Sequence, residues 1–254
     1  MNDWNAEQYM KFEKERTQPS VDLIGRLDFS PKSILDIGCG PGNSTAMLKD
    51  RFSYAEILGI DSSDNMLERA RNSYPDSKFK KCLVPDGLEQ LGNYDLIFSN
   101  ACLHWIPEHK TLLPRLIEKL NDGGRIAVQM PLVQYAPFYK TLDSLVAEKW
   151  QKLNKIKNFH NLLPDETYDI LSSVSQNITM WETVYYHIVP SYGGVIDWYR
   201  GSGLRPYLDA LNEDEKSEFL SDLLGAIKEK YHTAPDNSVI LKMPRMFFIA
   251  EKNR

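Results

Sequence analysis

LDIGCGPGNST, residues 35–45, places Gly38, Gly40 and Gly42 at alternate positions directly after the strand-like run 33–37. Glycine lets a backbone turn sharply and come close to a ligand. A helix starting near Asn43 presents its free N–H groups at the same point. In an open parallel sheet, ligands bind beyond the carboxyl ends of the strands, where a strand passes into its helix. The turn alone is compatible with a plain strand-to-helix connection and with several nucleotide cofactors.

Asp61 narrows the choice. It ends the next strand-like run, in ILGIDSS, about 20 residues beyond the glycines, where an acidic side chain meets ribose hydroxyls in nucleoside-binding α/β folds. Its alternative role is to cap the helix holding Met66 and Leu67, for which Ser62, Ser63 and Asp64 are better placed. The dinucleotide fingerprint is G-x-G-x-x-G, but here Asp36 stands just before the glycines. A carboxylate at that point repels a pyrophosphate and favours a cationic sulfonium, so charge favours S-adenosylmethionine over a nicotinamide dinucleotide.

Outward from this turn, strand-length apolar runs alternate with amphipathic stretches, the pattern of a parallel sheet wrapped by helices. Strands are predicted near 33–37, 56–60, 78–82, 95–99 and 125–129, and helices near 44–51, 65–74 and 110–120. Gly123-Gly124 turns the chain from the last helix into its strand. After Pro131 the rhythm changes: a long helix is predicted over 138–157, strands over 181–189 and 239–251, and helices over 193–231 broken at Gly201-Ser202-Gly203. The expected fold is α/β, doubly wound, with a mostly parallel seven-stranded sheet in a single domain over 1–254. Within it, 1–30 is an N-terminal helical segment, 31–131 the cofactor-binding half, and 132–180 and 190–238 helical insertions forming a substrate cap.

Composition removes other classes. The 254 residues are 42% hydrophobic and 26% charged, an ordinary globular balance, and no apolar run reaches the roughly 18 residues of a bilayer span. A net charge of −5 gives no general attraction to nucleic acid. Cys39, Cys82 and Cys102 are scattered, which argues against a disulfide framework, and the polar N-terminus lacks a signal-peptide core, so a cytoplasmic location is expected. No His/Cys/Asp cluster has metal-ligand spacing. Nothing marks an interface, so a monomer or weak homo-oligomer is expected.

Ordered motifs then carry a family resemblance. Residues 34–42, Gly59-Ile60-Asp61, 94–100 and 120–124 resemble the class I S-adenosylmethionine-dependent methyltransferases, which implies a Rossmann-like sheet. A closer resemblance, to the trans-aconitate 2-methyltransferase family, spans nearly the whole chain. It includes Trp4 through Tyr9, Glu15-Arg16-Thr17, Val128-Gln129-Met130-Pro131, Trp181-Glu182-Thr183, Gly201 through Pro206 and Pro244-Arg245-Met246-Phe247. The resemblance implies donor contacts from Asp36, Gly38, Cys39, Gly40 and Gly42, from Asp61, Ser62 and Met66, from Cys82 and Leu83, and from Asn100, Ala101 and Trp105. Two departures stand out. Leu83 occupies the place of the usual adenine-contacting acid, leaving Asp86 or the backbone of Cys82 and Leu83 for that contact, and 132–135 lacks the expected polar pair.

The implied activity is O-methylation of a small polycarboxylic acid, trans-aconitate foremost, releasing S-adenosylhomocysteine. Alternatives are another small carboxylic acid or acyl thioester as acceptor, or a non-catalytic S-adenosylmethionine-binding protein. A carboxylate acceptor is already ionised, so no catalytic acid or base is expected. A polycarboxylate needs cations, and the arginine fork suits it best: Arg205 and Arg245 foremost, with Arg16 and Arg200 behind them. Tyr185, Tyr186 and His187 are added as hydrogen-bonding candidates, although only alternate residues of a strand share a face. His104 and Trp105 are expected as wall residues, Cys102 as small-residue packing, and Lys149 to Lys157 as a solvated face.

Overall fold

The computed structural model describes residues 12–156 and 159–253, so Trp4 to Tyr9 and the end of the expected 138–157 helix lie outside the described residues. Strands β1 (Ser33–Ile37), β2 (Glu56–Asp61), β3 (Lys78–Lys81), β4 (Tyr94–Asn100), β5 (Leu120–Pro131), β6 (Ser175–Val189) and β7 (Val239–Lys252) form one sheet. Its order is β3-β2-β1-β4-β5-β7-β6. The first five strands pair in parallel, and β7 runs antiparallel between β5 and β6. The central strands are buried on both faces: Ile34, Leu35 and Ile37 of β1 and Leu96, Ile97 and Phe98 of β4 are at most 1% exposed. That is why they read as continuous apolar runs rather than alternating ones.

Helices α1 (Glu13–Gly25), α2 (Asn43–Arg51), α3 (Asp64–Ser73), α4 (His109–Glu118), α5 (Pro137–Lys149), α6 (Pro164–Ser172), α7 (Tyr192–Arg200), α8 (Arg205–Asp209) and α9 (Glu213–Lys230) cover the sheet. Leu23, Ile24 and Leu27 of α1 and its following turn pack with Phe98, Ala127 and Phe247 on one face. Leu112, Leu113, Leu116 and Ile117 of α4 pack on the other. A third apolar cluster joins α5, α7 and α9 through Phe138, Leu142, Val195, Tyr199, Phe219 and Leu223, and it includes Val239, Leu241 and Met243 of β7. The two insertions therefore share one core with the end of the sheet.

Three expectations shift. β6 begins at Ser175, inside the span assigned to the first insertion. The expected long helix stops at Lys149 and gives way to a 3-10 turn over Gln151–Leu153, because Trp150 turns to donate from Nε1 to Asp222 Oδ2 at 3.0 Å and packs edge-on against Phe219. The lysines near this turn pair with acids of α9 instead of facing only solvent: Lys149 meets Asp222 at 3.1 Å, and Lys152 meets Glu215.

Candidate active site

A cavity of about 520 Å³ opens at the carboxyl ends of β1, β2 and β4 and runs beneath the insertions. Its floor is the glycine turn. Gly38 N and Cys39 N donate to Ile60 O at 2.8 and 3.0 Å, which ties the turn to the end of β2. All three glycines have positive φ: 72°, 53° and 94°. Their reasons differ. A Cβ on Gly38 would stand 2.3 Å from Cys102 Cβ and Sγ, and one on Gly42 would stand 2.7 Å from the Tyr74 ring, whereas a Cβ on Gly40 would meet nothing within 4 Å. Gly40 is the one that leaves room for a ligand; Gly38 and Gly42 let the turn pack.

Ser63 supplies the helix cap, its side chain accepting from Met66 N at 3.2 Å, and so Asp61 is released from capping. Asp61 instead accepts from Gly40 N at 3.0 Å and Ser63 N at 2.9 Å, with its carboxylate on the cavity wall. Ser62, Met66, Cys82, Leu83 and Val84 continue this wall. Asp86 is exposed and off it. Of the two alternatives for the adenine side, the structure brings Cys82 and Leu83 to the cavity.

At the end of β4, Asn100, Ala101 and Trp105 line the cavity as expected, and Ala101 adopts φ 52°. A non-glycine residue there costs of order 1–3 kcal/mol and persists only where its surroundings hold it; here Ala101 N donates to Gln129 O at 3.0 Å. Asn100 Oδ1 is buried without a hydrogen-bond partner. His104 is buried against Trp105 and Phe159, and burial, with Arg245 and His109 nearby, holds its imidazole well below the usual range and therefore neutral.

Three arginines also line the cavity. Arg16 of α1 donates from Nη2 to Trp198 O at 3.1 Å, with its guanidinium 5.5 Å from the indole centre. Arg205 begins α8, directly after the Gly201-Ser202-Gly203 break. Arg245 of β7 is buried and donates from Nη1 to Gln129 Oε1 at 3.4 Å. All three line the cavity, whose described wall also carries Asp61. The cavity wall therefore carries a carboxylate from the end of β2 and arginines from α1, α8 and β7.

Other expected residues fall elsewhere. Asp36 is wholly buried behind the turn and off the cavity lining, its Oδ2 accepting from Ser44 and Thr45 hydroxyls at 2.7 and 2.6 Å. Burial pushes its carboxyl up to about 6. Cys39 and Gly42 are likewise off the lining, the one buried and the other wedged by Tyr74. Tyr185 donates to Asp22, Tyr186 is 64% exposed, and His187 stacks on Trp198 with ring centroids 4.7 Å apart. None of these three lines the cavity. Strand alternation explains it: Tyr185 and His187 point at α1 and α7, and Tyr186 points outward. Arg200 faces Asp197 at 3.8 Å on the surface.

Similarity to known proteins decides the family. A methyltransferase-domain model matches residues 35–126. Trans-aconitate 2-methyltransferase of Rhodopseudomonas palustris (strain BisB5) is 36% identical, with 99% of this chain and 100% of the relative covered. The enzyme of that name from Escherichia coli O157:H7 is 37% identical, with 99% of each covered. The chain belongs to the trans-aconitate 2-methyltransferase family. It is an S-adenosylmethionine-dependent methyltransferase. Two solved structures share the fold: Haemonchus contortus phosphoethanolamine N-methyltransferase 2 with S-adenosyl-L-methionine (TM-score 0.59, 16% identity, 93% of this chain and 53% of that one), and the Bacillus subtilis YcgJ protein (TM-score 0.60, 15% identity, 93% and 99%).

Sequence reasoning missed several wall residues of this methyltransferase. Tyr139, Phe159, Trp198 and Tyr199 line the cavity. Tyr139 and Tyr199 sit beside core positions of their helices, where helical spacing assigns both to packing. The signal for Tyr139 lay in Gly203: a Cβ there would fall 2.2 Å from the Tyr139 hydroxyl, so the glycine break makes room for that phenol. Among the described residues, no group of three His, Cys, Asp or Glu could hold a metal ion, and no helix is long and apolar enough to cross a membrane.

Proposed function

We propose that this methyltransferase esterifies one carboxylate of trans-aconitate to a monomethyl ester and S-adenosylhomocysteine. The observation that carries the reading is that Arg16, Arg205 and Arg245 line the same cavity as Asp61. The donor fits this cavity too: Gly40 leaves the floor open, Asp61 suits ribose hydroxyls, Cys82 and Leu83 suit the adenine, and the buried Asn100 Oδ1 awaits a donor hydrogen. The chemistry that S-adenosylmethionine supplies is an electrophilic methyl group on a positively charged sulfur.

This chain's residues then have two tasks. Arginine forks hold the acceptor carboxylates by paired, charge-assisted hydrogen bonds, and the aromatic wall of Trp105, Tyr139, Phe159 and Trp198 excludes water. No residue must remove a proton, because the attacking oxygen is ionised; a neutral His104 agrees with a wall role. Rate enhancement comes from orientation, with reacting atoms held about 3 Å apart. Residues 132–174 and 190–238 act as the substrate cap in this reading. It also takes the enzyme as cytoplasmic, given its free cysteines, and as a monomer or weak homo-oligomer acting on a small molecule rather than nucleic acid.

The test is incubation with methyl-labelled donor and a panel of tri-, di- and monocarboxylic acids and an acyl thioester, with products identified by mass spectrometry. A base-labile monomethyl ester of trans-aconitate, formed in preference to the others, is expected. Preference for a monocarboxylate or thioester, or no ester on any acid, overturns the reading.

A further inference from the structure

Gln129, in the row that crosses the carboxyl ends of β4 and β5 onto antiparallel β7, lies off the cavity lining. Gln129 is wholly buried and stands in register with Asn100 of β4 on one side and Phe247 of β7 on the other, two residues from Arg245. Its Oε1 accepts from Arg245 Nη1 at 3.4 Å. A guanidinium has only donors, so this contact fixes the amide's orientation, oxygen toward Arg245 and Nε2 away from it. Gln129 Nε2 has no hydrogen-bond partner, and neither does Asn100 Oδ1 on the adjacent strand. Buried polar groups are nearly always paired, so a donor and an acceptor left open side by side are unusual.

We propose that Gln129 is a positioning residue: it holds the Arg245 guanidinium for the acceptor's carboxylate. This rests on the reading of Arg245 as a carboxylate-binding residue. The side-chain type follows from the task. A neutral amide oxygen orients a guanidinium without cancelling its charge, whereas a carboxylate here would form an ion pair with Arg245 and compete with the acceptor. An apolar residue would remove this orienting contact and leave the guanidinium less preorganised for the ligand, which weakens binding.

The experiment compares Gln129→Met and Gln129→Glu with the wild-type enzyme. Steady-state kinetics on trans-aconitate and on a monocarboxylic acid are read alongside donor affinity by calorimetric titration and thermal melting. Gln129→Met is expected to raise the KM for trans-aconitate about tenfold, as for losing a hydrogen bond to a charged group, with kcat changed less and donor affinity within about twofold of wild type. Gln129→Glu is expected to raise it further near neutral pH, with recovery on acidification as the new carboxyl takes up a proton. An unchanged KM in Gln129→Met, a pH-independent KM in Gln129→Glu, or a lowered melting temperature with neither kinetic change overturns the proposal. Failure of the functional reading shows in the wild-type enzyme's own acid preference; failure of this one shows only in the variants.

Discussion

The donor end and the acceptor end that the proposed function assigns to the cavity are made of different material. At the donor end, the backbone does most of the shaping: the glycine turn, its hydrogen bonds to Ile60 O, and the strand ends carrying Asp61 and Asn100 all lie within residues 37–105. At the acceptor end, side chains do the shaping, and they come from α1, from the start of α8 and from β7, so Arg16 and Arg245 meet across nearly the whole chain. A site made of backbone announces itself in a short stretch of sequence. One made of distant side chains exists only once the sheet and insertions have assembled.

This contrast breaks most visibly if the two ends cannot be disabled separately. Replacing Arg205 and Arg245 together by alanine is expected to lower kcat/KM for trans-aconitate by about a thousandfold, within the roughly 2–5 kcal/mol typical of truncating a buried charged partner. S-adenosylmethionine affinity, read by calorimetry, should stay within a few-fold of wild type; a parallel collapse would show one undivided site. Gly38→Ala attacks the other end, since its Cβ would lie 2.3 Å from Cys102 in a positive-φ position. A loss of about 2–4 kcal/mol in stability is expected from strain and overpacking, together with weakened donor binding. A partial return of melting temperature in Gly38→Ala/Cys102→Gly would confirm the cause.

The smallest effect concerns Asp36. Burial raises its carboxyl from 3.8 to about 6 against the hydrogen bonds from Ser44 and Thr45. The folded chain keeps a proton that the unfolded chain releases, so this group's contribution to stability falls as pH rises through about 4 to 6. Asp36→Asn removes that penalty: the variants should melt alike near pH 4, and Asp36→Asn should be the more stable near pH 8, by up to about 3 kcal/mol. Buried behind the turn, Asp36 can reach a ligand only through its field, so a substitution that removes its charge is expected to weaken the cationic donor more than the neutral thioether product. Equal weakening of both would mean that its charge plays no part.

Legibility followed the same division. A strand was expected at each of the seven places; β1 and β4 were readable because buried parallel strands write continuous apolar runs and the turn between β1 and α2 writes glycines, whereas β3, KFKK, is largely exposed and carries no such run. Arg205 and Arg245 were reachable from the chemistry of the acceptor, and both line the cavity. Tyr185, Tyr186 and His187 were not separable in advance, since a strand's phase relative to its sheet is fixed by pairing with β7 rather than by its own residues. Asp36 was read as a ligand contact on charge, but the hydroxyls of Ser44 and Thr45 draw it behind the turn. Tyr139 and Trp198 were hidden because an aromatic side chain lining a cavity and one filling a core leave the same mark on a helix.

The position of β7 bears on how the enzyme comes into being during synthesis. It is the last strand in sequence yet lies between β5 and β6, and it carries Arg245. Until the ribosome delivers it, β5 has an open edge, β6 has no neighbour, and the cap's apolar core lacks Val239, Leu241 and Met243. In the proposed reading, a nascent chain holds the residues of the donor end before it holds Arg245. The acceptor arginine of that reading arrives with the final strand, in the same step that closes the sheet.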